Sequence, residues 1–401
     1  MHLLYIMPAE AFGGAERQGV IHIANLPASG IDVVAVVGPG QPIRTQLERA
    51  GVSNYVFFPH FPAIDVEERG VWASVRRPAA YLWSWWKSAR KLTAFARQQK
   101  IDMVFASRTF GWTVGWAVGR RLGIPVVWRA GSRPATHGEI LSLRHVAPLY
   151  APDLLVANCE TGRQIYSRAV PAPTVVVRNG VDTLRFSPQR ASARLRHTMN
   201  LADVPVVGLA ARPAPEKGLG YLAEVVALVA REFPTVRFLV AGEFPWRGHF
   251  QRSFARSELG ERVLFLGHMD DIESFYGSCD VMILTSGDRS IELSSNAIIE
   301  AMSAARPVVV TNVGGMAEVV RDGHNGFVAP PDDPELFASR IALLLRRESL
   351  RWDFGAAARL DILDCHAQER VTARLATFLQ AIQAHKHPGP QLARRPCEQE
   401  A

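Results

Sequence analysis

Thirteen short apolar runs recur along this chain, each followed by a turn and a stretch with helical spacing. In the first half they are His2–Met7, Ile31–Val37, Tyr55–Phe58, Ile101–Ala106, Ile124–Trp128, Leu154–Ala157 and Val175–Val177. In the second half they are Val204–Ala210, Val236–Ala241, Val263–Leu266, Val281–Leu284, Val308–Val310 and Phe327–Val328. These runs are nearly continuous in Val, Ile and Leu rather than alternating with polar residues. Such runs fit strands covered on both faces, as in parallel sheets wrapped by helices. That places the chain in the α/β class. Thirteen strands exceed one comfortable sheet, so two doubly wound, Rossmann-like domains are expected.

The join is expected near Asn179–Leu201, where NGVDTLRFSPQRASARLRHTMN separates the last strand of the first half from the run PVVGLAA. The expected division is 1–185, 186–369, and a helix over 370–384 that packs back across the join. The Pro-rich polar tail 385–401 has no apolar periodicity and is expected to be disordered. Length and composition (401 residues, 48% hydrophobic, 21% charged) describe a folded chain with a substantial core. The four cysteines are scattered without a C-x-x-C pair, which excludes a disulfide scaffold or zinc ribbon. The N-terminus lacks the basic flank and apolar length of a signal peptide, and no run reaches the ~18 residues that span a bilayer. A cytoplasmic location is expected.

Charge is unevenly placed. Residues 1–185 hold 21 Lys/Arg against 12 Asp/Glu, whereas the remainder holds 24 against 26. The segment Arg76–Lys100 carries seven basic residues, no acid, and Trp83, Trp85 and Trp86. Read as a helix, it presents Leu82, Trp85 or Trp86, Ala89, Leu92 and Ala96 on one core-facing stripe. Trp83 then faces outward among Lys87, Arg90 and Lys91. Two readings stand: an ordinary solvated basic face, or a surface for anionic lipid headgroups, peripheral at the inner face of the plasma membrane. No nucleic-acid-binding module is present.

Three stretches carry candidate chemistry. Gly13-Gly14 follows the first strand and opens a helix, where backbone amides approach an anion closely; the same pair also serves a loop that merely needs positive φ. Arg212 and Lys217, in ARPAPEKG after the first strand of the second half, lie where open α/β sheets bind ligands. They are either two solvated cations or a pair neutralising a diphosphate. In Glu292-Leu-Ser-Ser-Asn-Ala-Ile-Ile-Glu300, a helix starting near Ser294 or Ser295 offers free amides at Ser294–Ala297. Its two glutamates accept hydrogen bonds from hydroxyls; alternatively Ser295 is a plain N-cap and both glutamates are solvated.

In their order along the chain, GGAE (Gly13–Glu16), VVRNGVDTLRF (Val176–Phe186), ARPAPEKG, ELSSNAIIEAM and RPVVVTNVGGMAEVVRDGHNGFVAPPDDPE (Arg306–Glu335) resemble the retaining glycosyltransferases of family 4. The resemblance reaches to about residue 380 and is sharper in the second half. It implies the GT-B architecture, with two Rossmann-like domains facing a central cleft. It implies a hexosyl or related sugar moved from a nucleoside diphosphate to an acceptor hydroxyl with retention, in cell-surface polysaccharide or glycolipid assembly.

Carried over residue by residue, Arg212 and Lys217 hold the donor diphosphate and Glu292 lies beside the transferred sugar. Glu300 binds the ribose, and backbone groups at Ser295, Asn296 and Ala297 cover the phosphates. Gly13 and Gly14 close over the phosphates from the other domain, and Gly267-His268 sits against the base. The implied partners are a nucleotide-sugar donor and a glycan or lipid-linked acceptor. No D-x-D stretch is present and Asp270-Asp271 are adjacent, so no metal or other cofactor is expected.

The chain departs from the family pattern in three places. Leu293 and Ala305 replace usual glycines. After the strand Ile124–Trp128, where many members carry a His, Gly131 occupies the slot, with Arg129, Arg133 and His137 nearby as candidates for acceptor contact or catalysis. Two rival functions remain at this point: a GT-B sugar-nucleotide epimerase, and a non-catalytic sugar-nucleotide-binding member.

Overall fold

The computed structural model describes residues 1–8, 12–59, 61, 71–134, 143–192, 194–211, 218–242, 259–287, 290 and 292–385; for 71–80, 219 and 385 it describes the backbone alone. The chain folds into two compact units, Met1–Gly180 with the segment from Glu369 onward, and Val181–Gln368.

Among its described residues the first unit holds seven strands: β1 (His2–Met7), β2 (Asp32–Val37), β3 (Tyr55–Phe57), β4 (Met103–Ser107), β5 (Val126–Ala130), β6 (Leu154–Ala157) and β7 (Thr174–Val176). All neighbours are parallel, in the order β3-β2-β1-β4-β5-β6-β7. The second unit holds β8 (Val206–Ala210), β9 (Arg237–Ala241), β10 (Val263–Gly267), β11 (Val281–Leu284), β12 (Val308–Thr311) and β13 (Gly326–Ala329). Its parallel order is β10-β9-β8-β11-β12-β13. Each sheet therefore runs outward from its first strand, returns, and continues on the other side. That is the doubly wound Rossmann order, and it creates a switch point between β1 and β4 and another between β8 and β11.

The Val/Ile/Leu runs form strands because both faces are covered. Leu3–Met7, Val33–Val37, Met103–Ala106 and Val308–Val310 are all buried. In the first unit the C-terminal helix, Gln368–His385, joins the core through Val371, Leu375, Phe378, Leu379 and Ile382, beside Tyr5, Val33 and Leu47. At roughly 1.5–3 kcal/mol per fully buried apolar side chain, this contact contributes on the order of 10 kcal/mol before ordering is charged against it. Val181 and Ala367 pair as an isolated bridge, with Val181 N donating to His366 O and Gln368 N to Val181 O.

The basic, Trp-rich segment forms a helix, Val71–Gln98. Its buried stripe is shorter than the periodicity predicts. Ser88, Ala89, Leu92, Thr93 and Ala96 are buried, but Leu82 is 62% exposed and Trp86 42% exposed. Of the two tryptophans offered for the stripe, Trp85 is half-buried and Trp86 is not, so among the described side chains the fully covered part of the stripe begins only near Ser88. No described helix is long and apolar enough to cross a membrane.

Candidate functional site

The carboxyl ends of β8 and β11 meet at the switch point of the second unit, and five of the predicted donor residues, Glu292, Ser295, Asn296, Ala297 and Glu300, follow β11 there. Arg212 and Lys217 lie outside the described residues, but both ends of their loop are placed. Ala211 N bonds to Ala241 O beyond the end of β8. Gly218, preceding the helix Leu219–Glu232, adopts φ +70, and a Cβ there would lie 1.8 Å from Thr285 O. Only glycine fits that contact, which presses the end of the cation-bearing loop onto the segment leaving β11.

That segment is tightly tied. Thr311, the last residue of β12, donates its hydroxyl to Ser286 O at 2.6 Å. Ser286 Oγ in turn donates to Glu292 Oε2 at 3.0 Å, and Glu292 N donates to Ser290 Oγ at 3.2 Å. Gly315 N closes on Leu293 O at 2.8 Å. Leu293, where the family has glycine, is wholly buried.

The helix Asn296–Ser303 follows, with Ser295 at the N-cap. The Ser295 hydroxyl makes no capping bond to the first-turn amides. Ala297 stands in that first turn, where the helix dipole favours an anion. Glu300, one turn inside, is only 3% exposed and accepts a hydrogen bond from Tyr276 Oη at 2.8 Å. Between the two readings open on sequence, Glu300 is thus a positioned interior carboxylate and not a solvated one.

Gly267 ends β10, and its carbonyl accepts from Gly242 N at 2.8 Å. His268 is exposed and lies 3.9 Å from Asp270. These two residues share the carboxyl edge but sit two strands away from β8. Asp271 caps the helix Ile272–Ser278 through Ser274 N and Ser274 Oγ. Among the described residues no group of three His, Cys, Asp or Glu side chains could hold a metal ion.

The first unit offers its own switch point. Gly13 is the N-cap of the helix Gly14–Asn25 and donates its N–H to Glu16 Oε2 at 3.0 Å. Glu16 is buried, and Arg108, directly after β4, grips it at 2.6 Å from a left-handed backbone, φ +61. Sequence reasoning missed this pair. Its only local signal is a carboxylate three residues after the helix-opening Gly13, the spacing of a capping box. Gln18 also went unremarked; its side chain both donates to Gly180 O and accepts from Gly180 N.

Arg129, at the end of β5, is 4% exposed and donates from Nη2 to Asn179 Oδ1 at 3.0 Å. Burial lowers its pKa, opposed by the nearby Tyr5 and Glu16. A Cβ on Gly131 would lie 2.9 Å from Arg129 Nη1. The guanidinium therefore occupies the space that a side chain at position 131 would need, and a histidine cannot enter this slot unless Arg129 moves. Arg133 follows in the segment after β5, and His137 lies outside the described residues.

Two parallel Rossmann-type units, the second with paired glutamates at its switch point, define the GT-B class. Comparison with known proteins gives the narrower placement. Residues 12–185 match the model for Glycosyltransferase Family 4, and residues 204–347 match that for Glycosyl transferases group 1. The chain belongs to the family 4 glycosyltransferases.

D-inositol 3-phosphate glycosyltransferase of Salinispora arenicola is 26% identical over 329 residues, covering 74% of this chain and 72% of that protein. The GDP-mannose-dependent α-(1-6)-phosphatidylinositol monomannoside mannosyltransferase of Mycolicibacterium smegmatis is 29% identical over 207 residues, covering 50% and 54% respectively. The crystal structure of Anabaena HepE with UDP superposes with a TM-score of 0.77 at 22% identity, covering 95% of this chain and all of that one. HepE has also been solved with UDP-glucose.

Proposed function

We propose that this glycosyltransferase moves a hexosyl or related sugar from a nucleoside diphosphate to an acceptor hydroxyl with retention of configuration, without a metal ion. One observation carries the reading. At the edge where the Arg212–Lys217 loop leaves the sheet, Glu300 is buried and held by Tyr276, Glu292 is held by Ser286, and the helix N-terminus between them is uncapped by Ser295. The family resemblance assigns those groups to the donor, and the UDP and UDP-glucose complexes of HepE support a nucleotide sugar there.

The chemical task is to stabilise negative charge on the departing diphosphate. Arg212 offers a planar fork, Lys217 a point charge, and the amides near Asn296 and Ala297 a favourable dipole. Glu300 takes the ribose hydroxyls and Glu292 faces the transferred sugar. Arg129, whose guanidinium reaches the space beside Gly131 where the resemblance places a histidine in many family members, brings a fixed cation to the acceptor side. The acceptor is a glycan or lipid-linked sugar in cell-surface assembly, at the inner face of the plasma membrane. The phosphatidylinositol monomannoside in the name of the M. smegmatis relative supports that class.

A thermal-shift series with UDP, GDP, ADP and their sugars tests the donor assignment. The matching nucleotide should raise the melting point by mass action. Arg212→Ala and Lys217→Ala should each abolish most of that rise, leave the unliganded melting point nearly unchanged, and lower turnover by about 10²–10³-fold. A full shift in both variants would place the nucleotide elsewhere. Binding without turnover across the panel would instead identify a non-catalytic member.

A further inference from the structure

Along the described side chains of the Val71–Gln98 helix, one face is buried at Ser88, Ala89, Leu92, Thr93 and Ala96. Leu82, Trp83 and Trp86 stand in solvent, Leu82 and Trp83 each 62% exposed. Trp83 and Trp86 stack on each other, with centroids 5.4 Å apart and planes 22° from parallel. The Arg90 guanidinium lies 5.5 Å from the Trp86 ring. Positions 83, 86, 87 and 90 share one helical stripe, so Lys87 and Arg90 lie about 6 and 10 Å along the axis from Trp83, and Arg90 about 6 Å from Trp86. No acidic residue occurs between Glu68 and Asp102.

We infer that this exposed stretch of the helix, Leu82 to Lys91, docks the enzyme onto an anionic lipid surface, with Trp83 and Trp86 at the acyl boundary and Lys87, Arg90 and Lys91 among the headgroups. Indoles are amphipathic and settle at that boundary, while cations on the same stripe, one to two turns on from Trp83, meet phosphates. A second copy of this chain is the poorer occupant, because a twofold contact would set the same cations against one another. An acidic protein could answer the charge, but lysines are depleted from protein interfaces. The inference deepens the lipid-linked-acceptor reading above, yet vesicle binding does not depend on nucleotide turnover. The two readings can therefore fail separately.

Flotation of the full chain with vesicles of equal phosphatidylcholine and phosphatidylglycerol tests it, with pure phosphatidylcholine vesicles alongside. The protein should float with the anionic vesicles and much less with the neutral ones. Raising salt toward 1 M, where the Debye length shrinks to ~3 Å, should release it. Trp83→Ser with Trp86→Ser should weaken partitioning about tenfold or more. Lys87→Gln, Arg90→Gln and Lys91→Gln should each weaken it about fivefold. The glutamine variants alter side chains at the surface, so unchanged melting points would confirm that folding is intact. Protein that stays in solution with anionic vesicles overturns the inference, as does equal partitioning of wild type and variants. So does a dimer that the tryptophan substitutions convert to monomer without any vesicle binding.

Discussion

His22 is wholly enclosed, with Nδ1 3.3 Å from Tyr5 Oη and Nε2 without a hydrogen-bond partner. Burial, aided by the Arg129 charge, holds its pKa well below 6.5. The unfolded chain therefore takes up a proton near pH 6.5 that the folded chain refuses. Stability on this account is full above that pH and falls as pH drops below it, by up to about 1.4 kcal/mol per pH unit. Chemical denaturation of wild type and His22→Gln from pH 7 to 5 should show the variant gaining steadily on the wild type; parallel curves would contradict it. At this scale the sequence is legible only in part. Glu292 and Glu300 stand out because their spacing brackets a helix start. Tyr276, which holds Glu300, and Arg108, which holds Glu16, come from elements 24 and 92 residues away. No local pattern announces such partners, since only the sheet order brings them together.

At the scale of elements, the helix Asn296–Ser303 ends as a helix should, but on an unusual residue. Ala305 N bonds to Met302 O at 3.0 Å and Arg306 N to Ala301 O at 2.9 Å, the paired bonds of a Schellman motif. That motif needs a left-handed residue, and Ala305 supplies it at φ +55. The family's glycine at this position is thereby explained: alanine there costs about 1 kcal/mol that glycine avoids. Ala305→Gly should raise stability by roughly 0.5–1 kcal/mol despite the looser unfolded chain, read as a higher denaturation midpoint. A lower midpoint would mean that the left-handed geometry carries no strain.

All thirteen strands among the described residues fall on the apolar runs, because runs buried on both faces carry a strong local signal. Their ends differ by one or two residues, as in β5, which runs two residues past Trp128 to include Arg129. The Trp-rich helix shows what periodicity omits. It reveals an apolar stripe but not whether another element covers it.

At the scale of the whole molecule, two units repeat one winding, yet their switch points differ in chemistry. The first carries Gly13, Glu16 and Arg108; the second carries two positioned glutamates and a helix N-terminus. The first unit also holds the net positive charge. Family membership and winding were readable from motif order and strand pattern, because both depend on residues close together in the chain. Under the proposed function, the nucleotide of the donor binds at the β8–β11 switch point of the second unit, with Glu300 on its ribose. Isothermal titration calorimetry of wild type and Glu300→Gln, with whichever of UDP, GDP or ADP binds tightest, tests this directly. The wild type should show one saturable site per chain, and the variant at least about tenfold weaker binding, as expected when a buried charged hydrogen bond to ligand is lost. Equal affinity in the two proteins would contradict it.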